Sequence, residues 1–516
     1  MCLGIEILQV LAVCRKIIFM KKQFFGSTKV GQYIVKGLSF FVISICASQC
    51  FAQSSADTNR TSNFQYLKMF NSVFEFVQQN YVDEVDPKVL YEGALKGMME
   101  AFDDPYTSYL DEATMRDLSD TTKGNFGGVG LSISKPVESK PNKPAYVQVE
   151  APIDDTPGAK AGILSGDYIT EIDGKSTVQM TMQDVLSVLR GEVGKSVALT
   201  ILRGKSLTFK VELVRALIEV PTVKYGMIDS TGYCRIIQFT PDTPARVQDA
   251  IDFFEKNKYK NLIIDLRDNP GGLITSVSEI ADKFIDNGPI VSTKSRLSYE
   301  NSVFKASPAN TKVKNIPIVV LINQGSASAS EILSGALKDN HLAYLVGKRT
   351  YGKGSVQQII PLSDSEQIKM TMARYYTPSD TNIDKIGIPP DLEVAYPDFT
   401  EEETAAYKEL MDTNEIADYV ESHPDMSEEQ IADFASQLGK KYSLNQKLLR
   451  RLVRIQVNRT KPTALYDLDY DIQLNAALDV LKNTKDFKKL VASTKTLKEL
   501  QIEAEKKKAI EEKASE

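Results

Sequence analysis

Histidine is nearly missing from this chain: there are two, His341 and His423, in 516 residues. They stand in separate regions and no His-Glu-x-x-His pair occurs, so an ordinary zinc site lacks ligands. Cysteine is scarce in another way. Cys2, Cys14, Cys46 and Cys50 lie in the first fifty residues, and only Cys234 lies beyond. Once the first segment is removed, no intrachain disulfide can form. A basic excess is also missing: the net charge is −6, which leaves no electrostatic footprint for nucleic acid. No apolar stretch is long enough for a protein of many membrane spans. These shortages argue against a metal, a disulfide scaffold and a nucleic-acid partner, and they restrict histidine-based catalysis.

What is present reads as globular. Hydrophobic residues make up 42% and charged residues 25%, an ordinary balance. The length implies about three or four domains. Residues 1–52 have the pattern of an export signal. Lys21, Lys22, Lys29 and Lys36 precede an apolar run from Leu38 to Cys46, and small residues end at Ala52. The run is short for a span of about 20 residues, so cleavage after Ala52 is expected rather than a retained anchor. Gln49 before Cys50 argues against lipidation. Met20-Lys21-Lys22 resembles a natural start, which would leave residues 1–19 outside the natural chain. The mature protein is expected to be exported, in the periplasm or cell envelope.

Residues 53–122 read as helical, with Phe64, Leu67, Phe70, Phe74, Val77 and Tyr81 at three- and four-residue spacing. Asp86-Pro87 opens a second helix. The stripe is expected to pack inside a small bundle, with a dimer contact as the functional alternative. Residues 123–215 form a small, mainly β module. Its glycines Gly124, Gly127, Gly128 and Gly130 precede an alternating strand through Leu131 and Ile133, Asp155 to Gly158 reads as a turn, and Asp173-Gly174 signals a hairpin. Residues 216–396 alternate strands and helices, and the apolar runs Leu262–Leu266 and Ile318–Ile322 suggest strands buried on both faces of an α/β layered core. Residues 397–516 are helical and charge-rich, expected to be a solvated appendage.

Two segments could carry chemistry. Gly347 to Lys353 matches the start of a phosphate-binding loop, but Gly354 stands where Ser or Thr should be, and a strand follows where a helix is needed. Gly325-Ser326-Ala327-Ser328-Ala329-Ser330-Glu331 follows a buried strand and opens a helix. A serine there sits at the positive end of the helix dipole, and the Ala329 amide points toward a developing oxyanion. The same pattern is a helix N-cap, and on this segment alone the cap is the first reading. A base is then required. His341 ends the same helix, about 20 Å from its start at 1.5 Å per residue, and His423 precedes Pro424. Lys353, between Gly352 and Gly354, is better placed. In an apolar slot a lysine loses its proton more readily and can accept that of a serine; in water it is only a loop lysine. Gln357 could orient it, or be one more polar strand residue.

Together these segments resemble the C-terminal processing peptidase family, the tail-specific proteases. Gly325 to Ile332 is similar to its nucleophile segment and Thr350-Tyr351-Gly352-Lys353-Gly354 to its lysine segment. Asp265-Leu266-Arg267-Asp268-Asn269-Pro270-Gly271-Gly272 is similar to its glycine loop. Gly387-Ile388-Pro389-Pro390-Asp391 resembles its closing motif, and Asp104 to Leu110 an N-terminal one. The glycine-rich start and Ala161 to Asp167 are similar to its PDZ module. The resemblance spans roughly residues 63–395, and ordered motifs at consistent spacing are more specific than any one alone.

The resemblance implies a multidomain α+β fold: a helical N-terminal region (53–122), a PDZ domain (123–215) inserted before an α/β layered serine peptidase core (216–396), and a helical C-terminal extension (397–516). It implies a serine endopeptidase with Ser328 as nucleophile, Lys353 as general base and Gln357 as the partner that orients the lysine. Backbone amides of Ala329 and of Gly271 or Gly272 would form the oxyanion hole. Asp268 stands where the family usually has Asn, and is expected to point away from Lys353. Protein or peptide substrates would add as a strand beside Leu131 to Ile133, with Gly127, Gly128, Val129 and Gly130 holding the C-terminal carboxylate. No metal and no cofactor is implied, and the N-terminal helices are a candidate homodimer contact. The rivals are a non-catalytic PDZ scaffold that binds C-terminal peptides and a Ser-His hydrolase using His341.

Overall fold

In the computed structural model the described residues are 63–516, apart from 113, 116–124, 137–138, 140–143, 154–155, 165, 205–206, 220, 364, 414, 459–463 and 516. The expected signal segment, 1–52, lies outside them. The chain divides into two compact units after Ala101.

The first unit contains two described helices, α1 (63–80) and α2 (Pro87–Glu100). Asp86 caps α2 by accepting the Lys88 N–H at 2.9 Å, and Pro87 occupies the first turn, where its missing N–H costs nothing. The apolar stripe of α1 was expected inside a bundle. It is instead exposed at Phe64, Leu67 and Phe70, and Met99 is the buried residue of α2.

The second unit begins with a departure from the all-helical reading of 53–122. Ser108–Leu110 is a strand, β1, antiparallel to β18 (Gln367–Tyr376). Its short apolar run is satisfied by a sheet 260 residues away in sequence, which local periodicity cannot reveal.

The β module follows. Strands β2 (Asn125–Gly128), β3 (Leu131–Ser134), β4 (Val147–Pro152), β5 (Tyr168–Ile172), β6 (Lys175–Ser176), β7 (Ser196–Arg203), β8 (Leu207–Val214) and β9 (Ala216–Glu219) accompany helices α3 (Pro157–Lys160) and α4 (Met182–Leu189). The main sheet runs β3-β4-β5-β7-β8, so β3 is an edge strand. Asp173 and Gly174 both adopt positive φ, 48° and 76°, as a tight hairpin turn between β5 and β6 requires. The expected turn at Asp155 to Gly158 is corrected: Pro157 and Gly158 already belong to the first turn of α3.

The α/β core has a six-stranded sheet in the order β10 (Val223–Ile228), β11 (Thr231–Ile236), β12 (Asn261–Asp265), β15 (Ile318–Ile322), β16 (Ala343–Gly347), β19 (Leu392–Glu393). All neighbours are parallel except β10 and β11. A second, antiparallel sheet runs β1-β18-β13-β14, with β17 (Ser355–Pro361) also on β18; β13 is Gly288–Ser295 and β14 is Ser302–Ala306. Helices α5 (Thr243–Lys256), α6 (Ile274–Ala281) and α7 (Ala329–Asp339) pack on one face of the six-stranded sheet. Val247, Ile280 and Leu333 meet Leu262, Ile264 and Val320 there.

The opposite face corrects the reading of residues 397–516 as a solvated appendage. Helices α8 (Glu401–Asp412), α9 (Glu415–Ser422), α10 (Glu428–Lys441) and α11 (Gln446–Val457) make a bundle with its own core. The next helix, α12 (Ile472–Asn483), covers the strands themselves: Leu474 and Ala477 pack on Ile263, Val319, Leu321 and Val346. After α13 (Phe487–Ala492), α14 (Leu497–Ser515) sets Leu497 into the first core beside Gly335 of α7. A parallel sheet must be covered on both faces, and here the C-terminal extension covers one. Full burial of Leu474 and of Leu497 each contributes about 1.5–3 kcal/mol.

Candidate active site

The loop from Ile322 into α7 holds Ser328 in a conformation that L-residues avoid, with φ 54° and ψ −113°. Its carbonyl accepts the N–H groups of Glu331 and Ile332 at 2.9 and 3.0 Å, and it pairs with Glu331 in a capping box, the Glu331 carboxylate accepting the Ser328 N–H at 2.9 Å. The serine therefore stands at the helix start as the N-cap that its sequence context suggests, in a backbone conformation unusual for a cap. Strain of this kind costs about 1–3 kcal/mol and persists only where surrounding contacts enforce it.

Those contacts come from two loops. The glycine loop after β12 lies against Ser328. Ser326 Oγ donates to the Leu266 carbonyl at 2.8 Å, the Ala327 N–H to the Asn269 carbonyl at 3.0 Å, and Ser330 Oγ to that same carbonyl at 2.9 Å. At Gly271, φ is 107°, and a Cβ there would lie 2.8 Å from Ser328 Cβ and 3.0 Å from the Ala329 nitrogen. Only glycine permits so close an approach.

The lysine loop is joined to the nucleophile loop through one carboxylate. Glu331 is completely buried. Its Oε2 accepts the backbone N–H of Ser328 at 2.9 Å and of Lys353 at 2.8 Å. Its Oε1 accepts the Thr350 hydroxyl at 2.5 Å and the Gly352 N–H at 2.8 Å. Burial pushes this carboxyl up, and the four donors oppose that shift. A buried tyrosine reinforces the tie: the Tyr375 hydroxyl meets the Ser328 carbonyl at 3.3 Å and also donates to the Lys353 carbonyl. Sequence reading noticed Glu331 only as a neighbour of the serine and passed over Tyr375. Glu at the third helical position is a capping signal, but its reach to residues 350–353 depends on the tertiary fold.

Lys353 is half-buried, and its amine lies 4.4 Å from the centre of the Tyr106 ring. Burial is the main cause that lowers its pKa, with the charge of Lys369 adding to it, and Asp104 and Glu331 opposing. Among the described residues no hydrogen bond joins this amine to the Ser328 hydroxyl. Gln357 does not touch the amine either: its Nε2 donates to Ser355 Oγ at 2.9 Å and Thr371 Oγ1 at 3.2 Å, so its expected orienting role is not realised in this arrangement. The glycines flanking Lys353 act as expected, letting the loop press on residues 384–387. A Cβ at Gly352 would meet the Gly387 nitrogen at 2.9 Å, and one at Gly354 the Asp384 nitrogen at 2.6 Å. A cavity of about 660 Å³ opens beside this loop, lined in part by Asp104, Tyr106, Tyr351, Thr371 and Arg374.

The remaining candidates separate clearly. Gly271 gives its N–H to Asn269 Oδ1 at 2.9 Å, which removes it as an oxyanion donor. Ala329 directly follows Ser328, and Gly272 follows Gly271, the glycine that approaches Ser328; neither amide has a backbone acceptor among the described residues. Asp268 is engaged by the nucleophile loop, accepting from Asn323 Nδ2 at 2.8 Å. His341, past the end of α7, contacts the Val491 carbonyl through Nδ1 at 3.2 Å, far from the serine along the helix. The phosphate-loop reading fails on geometry: β17 follows the loop, and the amides of Gly352 and Lys353 are occupied by Glu331. Asp391 of the closing motif forms a buried ion pair with Lys338 of α7 and accepts the Leu345 N–H, fixing the nucleophile helix to β16. Cys234 is free and buried, its thiol pushed up to about 12 by burial and by Asp265.

In the β module, Gly127 and Gly128 belong to β2, in register with Leu217 and Ala216 of β9. They are therefore part of a ladder, not of an open loop. Val129 and Gly130 form the turn into the edge strand β3, and Leu131 and Ile133 pack on the same core as Val185 and Leu189 of α4.

Residues 230–394 match the model of peptidase family S41, residues 148–203 that of a PDZ domain, and residues 33–114 that of the N-terminal domain of the activating protease CtpB. A Bartonella bacilliformis protein named carboxy-terminal-processing protease is 40% identical over 372 residues, which cover 70% of this chain and 84% of that one. The carboxy-terminal processing protease CtpA of Bacillus subtilis is 32% identical over 383 residues, 74% of this chain and 79% of that one. Among solved structures, a photosystem II D1 C-terminal processing protease is 29% identical, with a TM-score of 0.39, over 63% of this chain and 92% of that one. The α/β core and the inserted module are thus those of a serine-type peptidase carrying a PDZ domain. The chain belongs to the carboxy-terminal-processing proteases of peptidase family S41.

Proposed function

We propose that this chain is a serine endopeptidase in which Lys353 takes the proton of Ser328, and that it selects exported proteins by their C-terminal tails. The observation that carries the reading is Glu331, whose Oε2 holds the backbone N–H of both residues. The lysine amine leaves the Tyr106 ring and turns to the serine by rotation of its side chain. Ser328 Oγ then attacks the scissile carbonyl as its proton passes to the Lys353 amine. The oxyanion is received by the N–H groups of Ala329 and Gly272. The ammonium returns the proton to the leaving amine, and the freed lysine next activates water to cleave the acyl-enzyme. No cofactor takes part.

The substrate tail pairs with the open edge of β3, its carboxylate held by amides of the Val129–Gly130 turn. Export rests on the basic and apolar pattern of residues 21–52. The test is a disordered reporter protein ending in an apolar residue, prepared with a free and with an amidated C-terminus. The free form is expected to be cleaved about tenfold or more faster at low concentration, as the loss of one charge-assisted contact implies. Equal rates would remove tail recognition from the reading. The exposed row Phe64, Leu67 and Phe70 supports a second copy of the chain as a partner. Sedimentation should give a dimer that Leu67→Glu disperses, and a monomer at micromolar concentration would discard that partner.

A further inference from the structure

The glycine loop is held at its start by a residue of the C-terminal extension. Arg267, two positions past the end of β12, donates Nη1 to Asp471 Oδ1 at 2.8 Å and Nη2 to Asp471 Oδ2 at 2.7 Å. The same guanidinium donates Nε to Asp265 Oδ1 at 2.9 Å and Nη2 to Asp265 Oδ2 at 2.6 Å, and Nη1 also reaches Gln473 Oε1 at 3.1 Å. The group lies at the boundary between sheet and α12: the Arg267 side chain is 10% exposed, Asp265 0% and Asp471 15%. Asp471 is itself fixed. It accepts the Tyr396 hydroxyl at 3.1 Å and the Leu474 N–H at 2.9 Å, capping α12. Burial alone would raise its carboxyl, but the bonds and charge of Arg267 outweigh burial and hold it below the usual range.

From Arg267 the chain has little freedom. Asp268 takes φ 59°, its N–H is held by Asn323 Oδ1, and the Asn269 side chain bridges the Ile236 carbonyl and the Gly271 N–H. Gly272 follows, pressed on the Phe239 carbonyl, where a Cβ would come within 2.1 Å. The direction of the Gly272 N–H is thus set by a chain anchored at both ends.

We propose that Asp471 is a positioning residue for the peptidase reaction, holding Arg267 and through it the loop that presents the Gly272 N–H beside Ser328. This rests on the reading of Ser328 as nucleophile and of that amide as oxyanion donor. It gives the C-terminal extension, which carries no chemical motif of its own, a part in the rate.

The test uses the full chain with Asp471→Asn. Asparagine keeps the shape and the ability to cap α12 and removes the charge. On the free-tailed reporter, kcat is expected to fall about 10–100-fold with KM within about twofold, because a donor that meets only the transition state is displaced. Affinity for a peptide aldehyde, whose adduct uses the same donor, should fall in parallel. A wild-type kcat in folded protein overturns the proposal, as does a loss that matches the folded fraction in a melting curve. Should Asp471→Asn not fold, Tyr396→Phe removes one bond to Asp471; a few-fold fall in kcat at constant KM supports the proposal and an unchanged kcat overturns it. Ser328→Ala run alongside separates the two levels: retained cleavage there defeats the nucleophile reading and this inference with it.

Discussion

Ser328→Ala and Lys353→Ala are each expected to lower kcat by about ten-thousand-fold or more while leaving a folded protein that still binds tails. Neither side chain is needed for the fold. The strained backbone of Ser328 is held by the Glu331 carboxylate and the glycine loop, which the alanine retains. Loss of Lys353 removes a contact with the Tyr106 ring, worth about 0.5–2 kcal/mol. Steady-state cleavage of the reporter, with binding of its tail measured separately, checks both. Turnover within tenfold of wild type in either variant would remove the dyad and leave a tail-binding module on a peptidase fold.

The pH dependence follows from the same amine. Its folded pKa lies below the ordinary 10.5, mainly through burial. Between the folded and unfolded values the native amine is neutral while the unfolded one is charged. Stability therefore rises with pH across that window and is lost as pH falls through the folded value. Activity needs the free amine, so kcat/KM should climb with pH and level off before an ordinary lysine would titrate. Lys369→Met removes a neighbouring positive charge and should move that limb to higher pH. A pH–rate profile identical to wild type would show that Lys369 does not act on Lys353.

Glu331→Gln is expected to lower kcat about 100-fold or more with little change in KM. Four donors converge on this carboxylate, two on each oxygen. An amide in its place puts an NH₂ group against at least one pair of N–H or O–H donors. Each buried donor left unsatisfied costs about 1–3 kcal/mol, and the loops that carry Ser328 and Lys353 lose their common anchor. A displacement near 1 Å is enough to cost about a hundredfold in rate. Steady-state kinetics on protein shown to be folded by its melting curve makes the comparison. A wild-type kcat would mean that the backbone geometry is held without the charge, with Tyr375 the remaining tie.

Much of this site is legible in sequence because its parts are local. A serine between alanines at a strand-to-helix junction, a lysine between glycines, and a glycine loop after an apolar strand each carry their own short-range signal. The glycines beside Lys353 mark a close backbone approach, and the coordinates supply it at residues 384–387. Gly271 and Gly272 read alike in sequence, however, and only the fold separates them, since the Asn269 side chain takes the amide of one. Gln357 likewise could turn toward the lysine or toward Ser355 and Thr371, a choice made by neighbouring strands.

The sequence by itself determined the order of modules, the buried strands Leu262–Leu266 and Ile318–Ile322, and the residue types that could act as nucleophile and base, because periodicity and turn chemistry act over a few residues. Tertiary structure alone decided that Ser108–Leu110 joins a distant sheet, that α12 closes a face of the core, and that Glu331 and Asp471 anchor the loops around Ser328. Those outcomes depend on contacts between residues tens to hundreds of positions apart. A carboxylate on a helix face looks the same in sequence whether water or four amides and hydroxyls await it.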